Sequence, residues 1–128
     1  MLTRRIVLTL AACAALATPG FAADKKPFDA AEFDAAIKAG KSVFVEVHAP
    51  WCPNCVKQGP ILSELQSQDK FKGLTVFKVD FDSQKDALRK LNVQVQSTLI
   101  SFKGGKETAR ATGITDKAAI EKILNASI

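Results

Sequence analysis

Apolar residues recur along this chain with two spacings, one typical of amphipathic helices and the other typical of buried strands. Helical spacing begins after Asp29, which forms an acidic capping box with Glu32, and it ends at Gly40. Residues 42–49 and 74–81 are short runs rich in valine and phenylalanine, and they predict strands buried on both faces. The pattern therefore predicts helices alternating with short buried strands.

The segment between these two strands has the spacing of a helix that extends to about residue 68. Its recurring apolar residues are Val56, Ile61, Leu62 and Leu65. Pro60 lies inside the pattern and is expected to kink the helix, because proline removes one backbone hydrogen bond.

The last part of the chain predicts a short helix, a hairpin and a final helix. Residues 86–91 have helical spacing, and residues 98–102 are typical of a strand. Gly104-Gly105 predicts a turn to a partner strand at about residues 107–112. Asp116 is expected to cap an amphipathic helix.

This order of elements predicts an α/β fold with a mixed four-stranded sheet. A βαβ unit requires a parallel strand pair, and the hairpin adds antiparallel strands. Helices then cover both faces of the sheet. We expect one domain over residues 29–128, preceded by a polar linker at residues 23–28, and the sequence contains no internal repeat.

Residues 1–22 have the features of a cleaved signal peptide. Arg4 and Arg5 form a basic start, residues 6–17 are rich in alanine and leucine, and Gly20-Phe21-Ala22 is a small-x-small cleavage site. The apolar stretch is shorter than the roughly 20 residues that a spanning helix needs. We therefore expect cleavage after Ala22 and a periplasmic or secreted protein.

Two other export signals remain open. Leu10-Ala11-Ala12-Cys13 resembles a lipobox, which would make the chain a lipoprotein anchored at Cys13. Thr3-Arg4-Arg5 weakly resembles a twin-arginine signal.

Charge and cysteine content narrow the classes of function. The formal net charge is +5, but the lysines are spread along the chain without a basic block, which argues against nucleic-acid binding. Removal of residues 1–22 would leave Cys52 and Cys55 as the remaining cysteines. A lone Cys-x-x-Cys between a strand and a helix is typical of a redox site rather than of a structural disulfide framework.

The spacing of the two cysteines suggests a role for each. Cys52 falls at the predicted start of a helix, where unpaired N–H groups and the helix dipole favour a thiolate, so it is the expected nucleophile. Cys55 lies three residues later on the same face, where it can resolve a mixed disulfide at Cys52. A competing hypothesis is a metal or iron–sulfur carrier, with two copies contributing the four thiolates that such a site needs.

Around these cysteines the sequence resembles the thioredoxin family. The resemblance covers nearly all of residues 23–128, through residues 49–55, 60–62, 74–80 and 98–103 and through Gly105 and Gly113. It implies a thioredoxin fold and a protein-disulfide oxidoreductase that needs no bound cofactor. Its partners would be protein thiols and disulfides, with a membrane-spanning thiol reductase as electron donor, and we expect a monomer.

The residues next to the cysteines bear on substrate binding and on the direction of electron flow. Pro53-Asn54 is neither the Gly-Pro of reducing thioredoxins nor the Pro-His of strong oxidants. Because no histidine lies between the cysteines, we favour a reductant or electron carrier. Trp51 resembles the family's surface indole, an apolar landing site for substrate, and core packing is the alternative.

Three polar residues in the apolar strands are also candidates. By the resemblance, Glu46 is a buried acid that accepts a proton from Cys55, and Lys78 is its lysine partner. The alternative for Glu46 is a solvent-facing strand position. His48, the single histidine of the chain, is either a rim residue or a group that handles protons.

Ser97 departs from the family pattern. Alignment of residues 98–100 places it where the family has a cis-proline facing the cysteines. A cis bond before a non-proline residue costs about 2.5–4 kcal/mol, so we expect a trans Gln96-Ser97 bond. The N–H and hydroxyl of Ser97 would then be available to a thiolate at Cys52, and substrate backbone would pair differently at Gln96.

Overall fold

After the first strand, helices and strands follow the order that the apolar pattern predicts. The computed structural model describes residues 23–128, and the elements within them are β1 (Asp24–Pro27), α1 (Ala30–Lys38), β2 (Val43–His48), α2 (Pro53–Gln66), β3 (Thr75–Asp80), α3 (Lys85–Lys90), β4 (Thr98–Lys103), β5 (Lys106–Thr112) and α4 (Lys117–Asn125). The expected signal peptide and Cys13 lie outside the described residues. No helix in residues 23–128 combines the length and the apolar character needed to cross a membrane.

Side chains cap two of these helices as the sequence predicts. Asp29 Oδ1 accepts the Glu32 N–H at 2.9 Å, and Asp116 Oδ2 accepts the Ala119 N–H at 2.9 Å. Each bond satisfies one of the donors that the first turn of a helix leaves unpaired. The beginnings of α1 and α4 are therefore fixed by local sequence.

The sheet contains five strands within residues 23–128, in the order β1-β3-β2-β4-β5, so the expected count of four is wrong. The additional strand is β1, formed by residues of the expected linker at 23–28. It pairs in parallel with β3, as β2 does, whereas β4 is antiparallel to β2 and β5. An edge strand pairs through its backbone on one side only, so it needs no apolar alternation and tolerates Pro27.

Each face of the sheet is covered by two helices. Val43, Val45 and Val47 pack on the face covered by α1 and α3, whereas Phe44 packs on the face covered by α2 and α4. Because strand side chains alternate between faces, Glu46 belongs to the face of Phe44. The acid in β2 therefore points towards the helix that carries both cysteines.

The buried stripe of α2 differs from the expected one. Val56 is 61% exposed, although the sequence analysis placed it among the recurring apolar positions. The buried residues are Cys55, Gln58, Leu62, Leu65 and Gln66. This stripe also has helical spacing, but two of its positions are glutamines, and an apolar pattern does not detect them.

Candidate active site

Cys52 occupies the N-cap of α2. Its Sγ accepts the Cys55 N–H at 3.1 Å, which is the bond that a capping oxygen usually makes. Pro53 lies at the first helical position, where its missing N–H removes no hydrogen bond of the helix. The sulfur of Cys52 therefore lies at the positive end of the helix dipole, where negative charge is stabilised.

Cys55 lies on the first turn of α2 and faces the sheet. Its Sγ is 3.8 Å from the Val47 carbonyl oxygen, to which the thiol donates. Burial, together with a hydrogen bond to Cys52, raises the pKa of the Cys55 thiol to about 11, although the N–H groups of Ala49 and Ser97 act in the opposite direction. Cys55 is therefore held as a protonated thiol in the dithiol form.

Burial does not distinguish the two sulfurs. Both cysteines are free thiols, and Cys52 is 1% exposed while Cys55 is 3% exposed. The difference between them is their place in the helix, because Cys52 caps α2 and Cys55 packs against β2. The geometry is consistent with the roles expected from the sequence.

Trp51 lies on the surface beside Cys52. It is 56% exposed, so the expected surface indole is found and core packing is not. Its Nε1 donates to both carboxylate oxygens of Asp82, at 2.9 and 3.1 Å. Asp80 accepts the N–H groups of Asp82 and Ser83, which lowers the pKa of its carboxyl and fixes the loop that carries Asp82.

The other residues expected to bind substrate lie around the same helix end. Pro53 and Asn54 are exposed, and Gln96 is half-buried. A side chain at Gly113 would meet Asn54 Nδ2 at 3.3 Å, so the loop before α4 lies against the cysteine motif. Trp51, Pro53 and Asn54 are therefore exposed next to Cys52 in the chain, and Gln96 precedes the buried Ser97.

Ser97 is buried, 2% exposed, and its backbone conformation is unusual. No peptide bond within residues 23–128 is cis, so Gln96-Ser97 is trans as expected, and Ser97 has a φ of 59°. Its N–H donates to the Val47 carbonyl at 2.9 Å. The expectation that this N–H is available to Cys52 is therefore wrong, because the N–H is hydrogen-bonded to the Val47 carbonyl of β2.

Glu46 is buried, as the resemblance implied, but its lysine partner is not Lys78. Glu46 Oε2 is 2.6 Å from Lys25 Nζ, and its Oε1 accepts Gln66 Nε2 at 2.6 Å. Lys78 is exposed and makes no ion pair among residues 23–128. The physical reason is the unexpected strand β1, which brings Lys25 to the face of the sheet that holds Glu46.

A cavity of about 70 Å³ separates Glu46 from Cys55, and both residues line it. Lys25, His48 and Lys78 also line this cavity and a neighbouring cleft of about 520 Å³. The smaller cavity has room for water and polar groups to bind it. Burial and the nearby Lys78 lower the pKa of His48, while Glu46 and Asp80 oppose them, so His48 is a half-buried neutral rim residue near neutral pH.

Four residues of this site were missed by sequence reasoning. Lys25 lies on the unpredicted strand, and Asp82 lies in a loop where no periodicity marks it. Gln58 and Gln66 had a detectable signal, because both are polar residues at positions of the buried stripe of α2. A polar residue on a buried face indicates a hydrogen-bonded partner inside the protein.

The arrangement can perform thiol–disulfide exchange. A capping sulfur is followed within one turn by a buried thiol, and a buried carboxylate lies across a small cavity from that thiol. In residues 23–128 no group of three or more histidine, cysteine, aspartate or glutamate side chains is placed to hold a metal ion. The fold and site therefore define a class of protein, the dithiol–disulfide oxidoreductases built on a mixed α/β sheet.

Comparison with known proteins identifies the family. The thioredoxin family model matches residues 24–126, and the chain belongs to the thioredoxin family. Over 98 residues it is 35% identical to thioredoxin-1 of Saccharomyces cerevisiae, covering 77% of this chain and 92% of that protein. The crystal structure of Trxlp from Edwardsiella tarda EIB202 is 40% identical with a TM-score of 0.76, covering 79% of this chain and 98% of that chain.

A third relative is a bifunctional protein. The bifunctional thioredoxin reductase/thioredoxin of Mycobacterium leprae is 34% identical over 97 residues, which are 76% of this chain and 21% of that protein. Together, these matches and the observed fold show that the chain is a protein-disulfide oxidoreductase of the thioredoxin family.

Proposed function

We propose that the chain is an exported reductant or electron carrier that delivers electrons from Cys52 and Cys55 to disulfides of other proteins. The observation that carries the proposal is the N-cap position of the Cys52 sulfur, which accepts the Cys55 N–H at 3.1 Å. One backbone donor and the helix dipole stabilise a thiolate there, without the additional cation that a histidine between the cysteines would supply.

The exchange has two steps in this proposal. The Cys52 thiolate attacks one sulfur of a client disulfide, which forms a Cys52–client mixed disulfide and releases the other client sulfur as a thiolate. Cys55 then loses its proton and attacks the Cys52 sulfur. The Cys52–Cys55 disulfide forms, the second client thiolate leaves, and two electrons have passed to the client.

Glu46 is the proposed acceptor of the Cys55 proton. Its carboxyl pairs with Lys25 and faces the 70 Å³ cavity that Cys55 also lines, so one or more waters can carry the proton between them. The raised pKa of Cys55, about 11, explains why such an acceptor is needed near neutral pH.

The exposed residues around Cys52 are the proposed client-binding surface. Trp51 offers an apolar face that Asp82 holds in place, and Pro53, Asn54 and Gln96 are the other residues of this proposed surface. Export rests on the basic and apolar sequence of residues 1–22, and an exported reductant needs a membrane-spanning thiol reductase to restore its dithiol. We propose that the chain works as a monomer.

The reduction potential of the Cys52–Cys55 pair tests this proposal. Equilibration of the purified protein with a glutathione series is expected to give a value nearer to about −270 mV, as in reducing members, than to about −120 mV, as in strong oxidants. A value at the oxidising end would overturn the reductant role. A sample that binds stoichiometric metal and shows no two-electron titration would instead support the metal or iron–sulfur carrier.

A further inference from the structure

Gln58 is a buried polar side chain that the two exchange steps do not use. It lies in α2 three residues after Cys55 and is 3% exposed. Its Nε2 donates to the Ser97 carbonyl at 3.2 Å and to the Ile114 carbonyl at 2.8 Å. One amide group therefore joins the cysteine helix to the loop before β4 and to the loop before α4.

Ser97 connects this amide to the surroundings of Cys55. The Ser97 N–H donates to the Val47 carbonyl at 2.9 Å, and the Cys55 thiol donates to the same oxygen at 3.8 Å. Gly113 donates to the Ser97 carbonyl at 3.1 Å. The position of Ser97 thus determines which donors and acceptors surround the Cys55 sulfur.

The backbone of Ser97 needs external support. Its φ of 59° lies in the left-handed region, which residues with a side chain adopt only where their surroundings hold them. The bonds from Gln58 and Gly113 to its carbonyl, and from its N–H to Val47, supply that support. Of these three contacts, the bond from Gln58 is the one made by a side chain, so it can be removed without altering the backbone.

We propose that Gln58 is a positioning residue for the second exchange step, in which Cys55 attacks the mixed disulfide at Cys52. By holding the Ser97 loop against Val47, Gln58 keeps the N–H and carbonyl groups beside Cys55 in the arrangement that this attack needs. The first step depends on Cys52 at the helix N-cap and does not require the amide. This inference rests on the proposed function, because it assigns a role within that reaction.

Single-turnover oxidation of the reduced protein by dithiobis(nitrobenzoate) separates the two steps. Attack by Cys52 releases one coloured thionitrobenzoate, and attack by Cys55 on the resulting mixed disulfide releases the second. Gln58→Met keeps the length of the side chain and removes both donors. It is expected to leave the first phase within about twofold and to slow the second phase about five- to tenfold, the usual scale for loss of one or two positioning hydrogen bonds.

A matched control separates positioning from general loss of stability. Ser101→Ala also removes a buried donor to a backbone carbonyl, that of Ile123, but on a part of β4 that does not contact the cysteines. Both phases are expected to keep their native rates in this variant. If Gln58→Met does not fold, Gln58→Asn keeps a buried amide that is too short to reach both carbonyls, and the same slowing of the second phase is expected.

The outcomes distinguish this inference from the proposed function. A second phase that keeps its native rate in a folded Gln58 variant overturns the positioning role, as does equal slowing of both phases. A native protein that releases no second thionitrobenzoate overturns the proposed function itself. Selective slowing of the second phase supports the inference. The pH at which the rate of this phase reaches half of its maximum should also rise, because a displaced Ser97 N–H no longer lowers the pKa of Cys55.

Discussion

Lys25 Nζ lies 2.6 Å from Glu46 Oε2, although the two residues belong to strands that β3 separates. Lys78 is the direct neighbour of Glu46 in the register of β2 with β3, yet it is exposed and makes no ion pair within residues 23–128. The edge strand thus supplies the cation for the buried acid. Pairing of β1 with β3 and the Lys25–Glu46 contact therefore depend on each other.

Lys25→Met is expected to slow the second exchange step. It removes the cation that holds Glu46 Oε2 at 2.6 Å, so the carboxyl loses the contact that fixes it at the cavity shared with Cys55. A hydrogen bond to a charged group contributes roughly 1.5 kcal/mol or more, which corresponds to a slowing of about tenfold. The rate of the second thionitrobenzoate phase near neutral pH measures this change.

Lys78→Met is the matched control for that experiment. It removes the same charge from the same face of the sheet, but from a side chain that makes no ion pair within residues 23–128. We expect the second phase of this variant to stay within about twofold of its native rate. Equal slowing by the two variants would show that the Lys25–Glu46 ion pair has no special role.

The elements whose signal is local can be predicted from the sequence. The caps at Asp29 and Asp116, the buried strand around Phe44 and the cysteine pair at the start of α2 all depend on neighbouring residues, and the structure has them as expected. A capping bond or a run of β-branched residues acts over a few positions, so it is visible in the sequence.

What the sequence did not predict depends on contacts between distant segments. Strand β1 is held by backbone pairing with β3, which leaves no side-chain pattern, and Lys25 reaches Glu46 only because that pairing forms. The N–H of Ser97 is likewise taken by Val47, 50 positions earlier in the chain. Such pairings are set by tertiary structure, so local propensity did not reveal them.

The two cysteine variants are expected to differ in what they accumulate. Cys55→Ser leaves the capping thiol at Cys52 able to attack, but it removes the resolving sulfur, so stable mixed disulfides with clients should collect. Cys52→Ser removes the thiol at the helix N-cap and should abolish exchange, because the remaining Cys55 thiol packs against β2 and donates to the Val47 carbonyl. Non-reducing gels of each variant after incubation with an oxidised protein substrate compare them, and equal trapping by both would contradict the assigned roles.

The stability of the dithiol form is expected to fall in alkaline solution because of Cys55. Burial raises the pKa of this thiol from 9.0 to about 11, so the unfolded chain releases the proton at lower pH than the folded chain does. The Cys55 contribution is therefore fully retained below about pH 9 and is lost as the pH rises to about 11. Urea unfolding of reduced native protein and of Cys55→Ala measures the difference, and parallel pH profiles would contradict the buried, protonated thiol.

Substitutions at Ser97 should change stability in an order set by the backbone rather than by the hydroxyl. At a φ of 59° glycine avoids the strain that a side chain suffers, so Ser97→Gly is expected to raise the free energy of unfolding by up to about 1 kcal/mol. Proline is fixed near a φ of about −65° and has no N–H, so Ser97→Pro must rebuild the loop and lose the bond to Val47.

Ser97→Ala keeps the N–H and the strain of a side chain at positive φ, and it removes the hydroxyl. It therefore separates the effect of the backbone on stability from the effect of the hydroxyl. We expect unfolding free energies in the order glycine, then serine and alanine together, then proline, measured by urea denaturation of the oxidised proteins. The bond from Ser97 to Val47 contributes about 1 kcal/mol, and proline should lose at least that much. A proline variant as stable as the native protein would mean that the loop has a second conformation of equal free energy, and that neither the positive φ nor the Val47 bond determines the fold of the site.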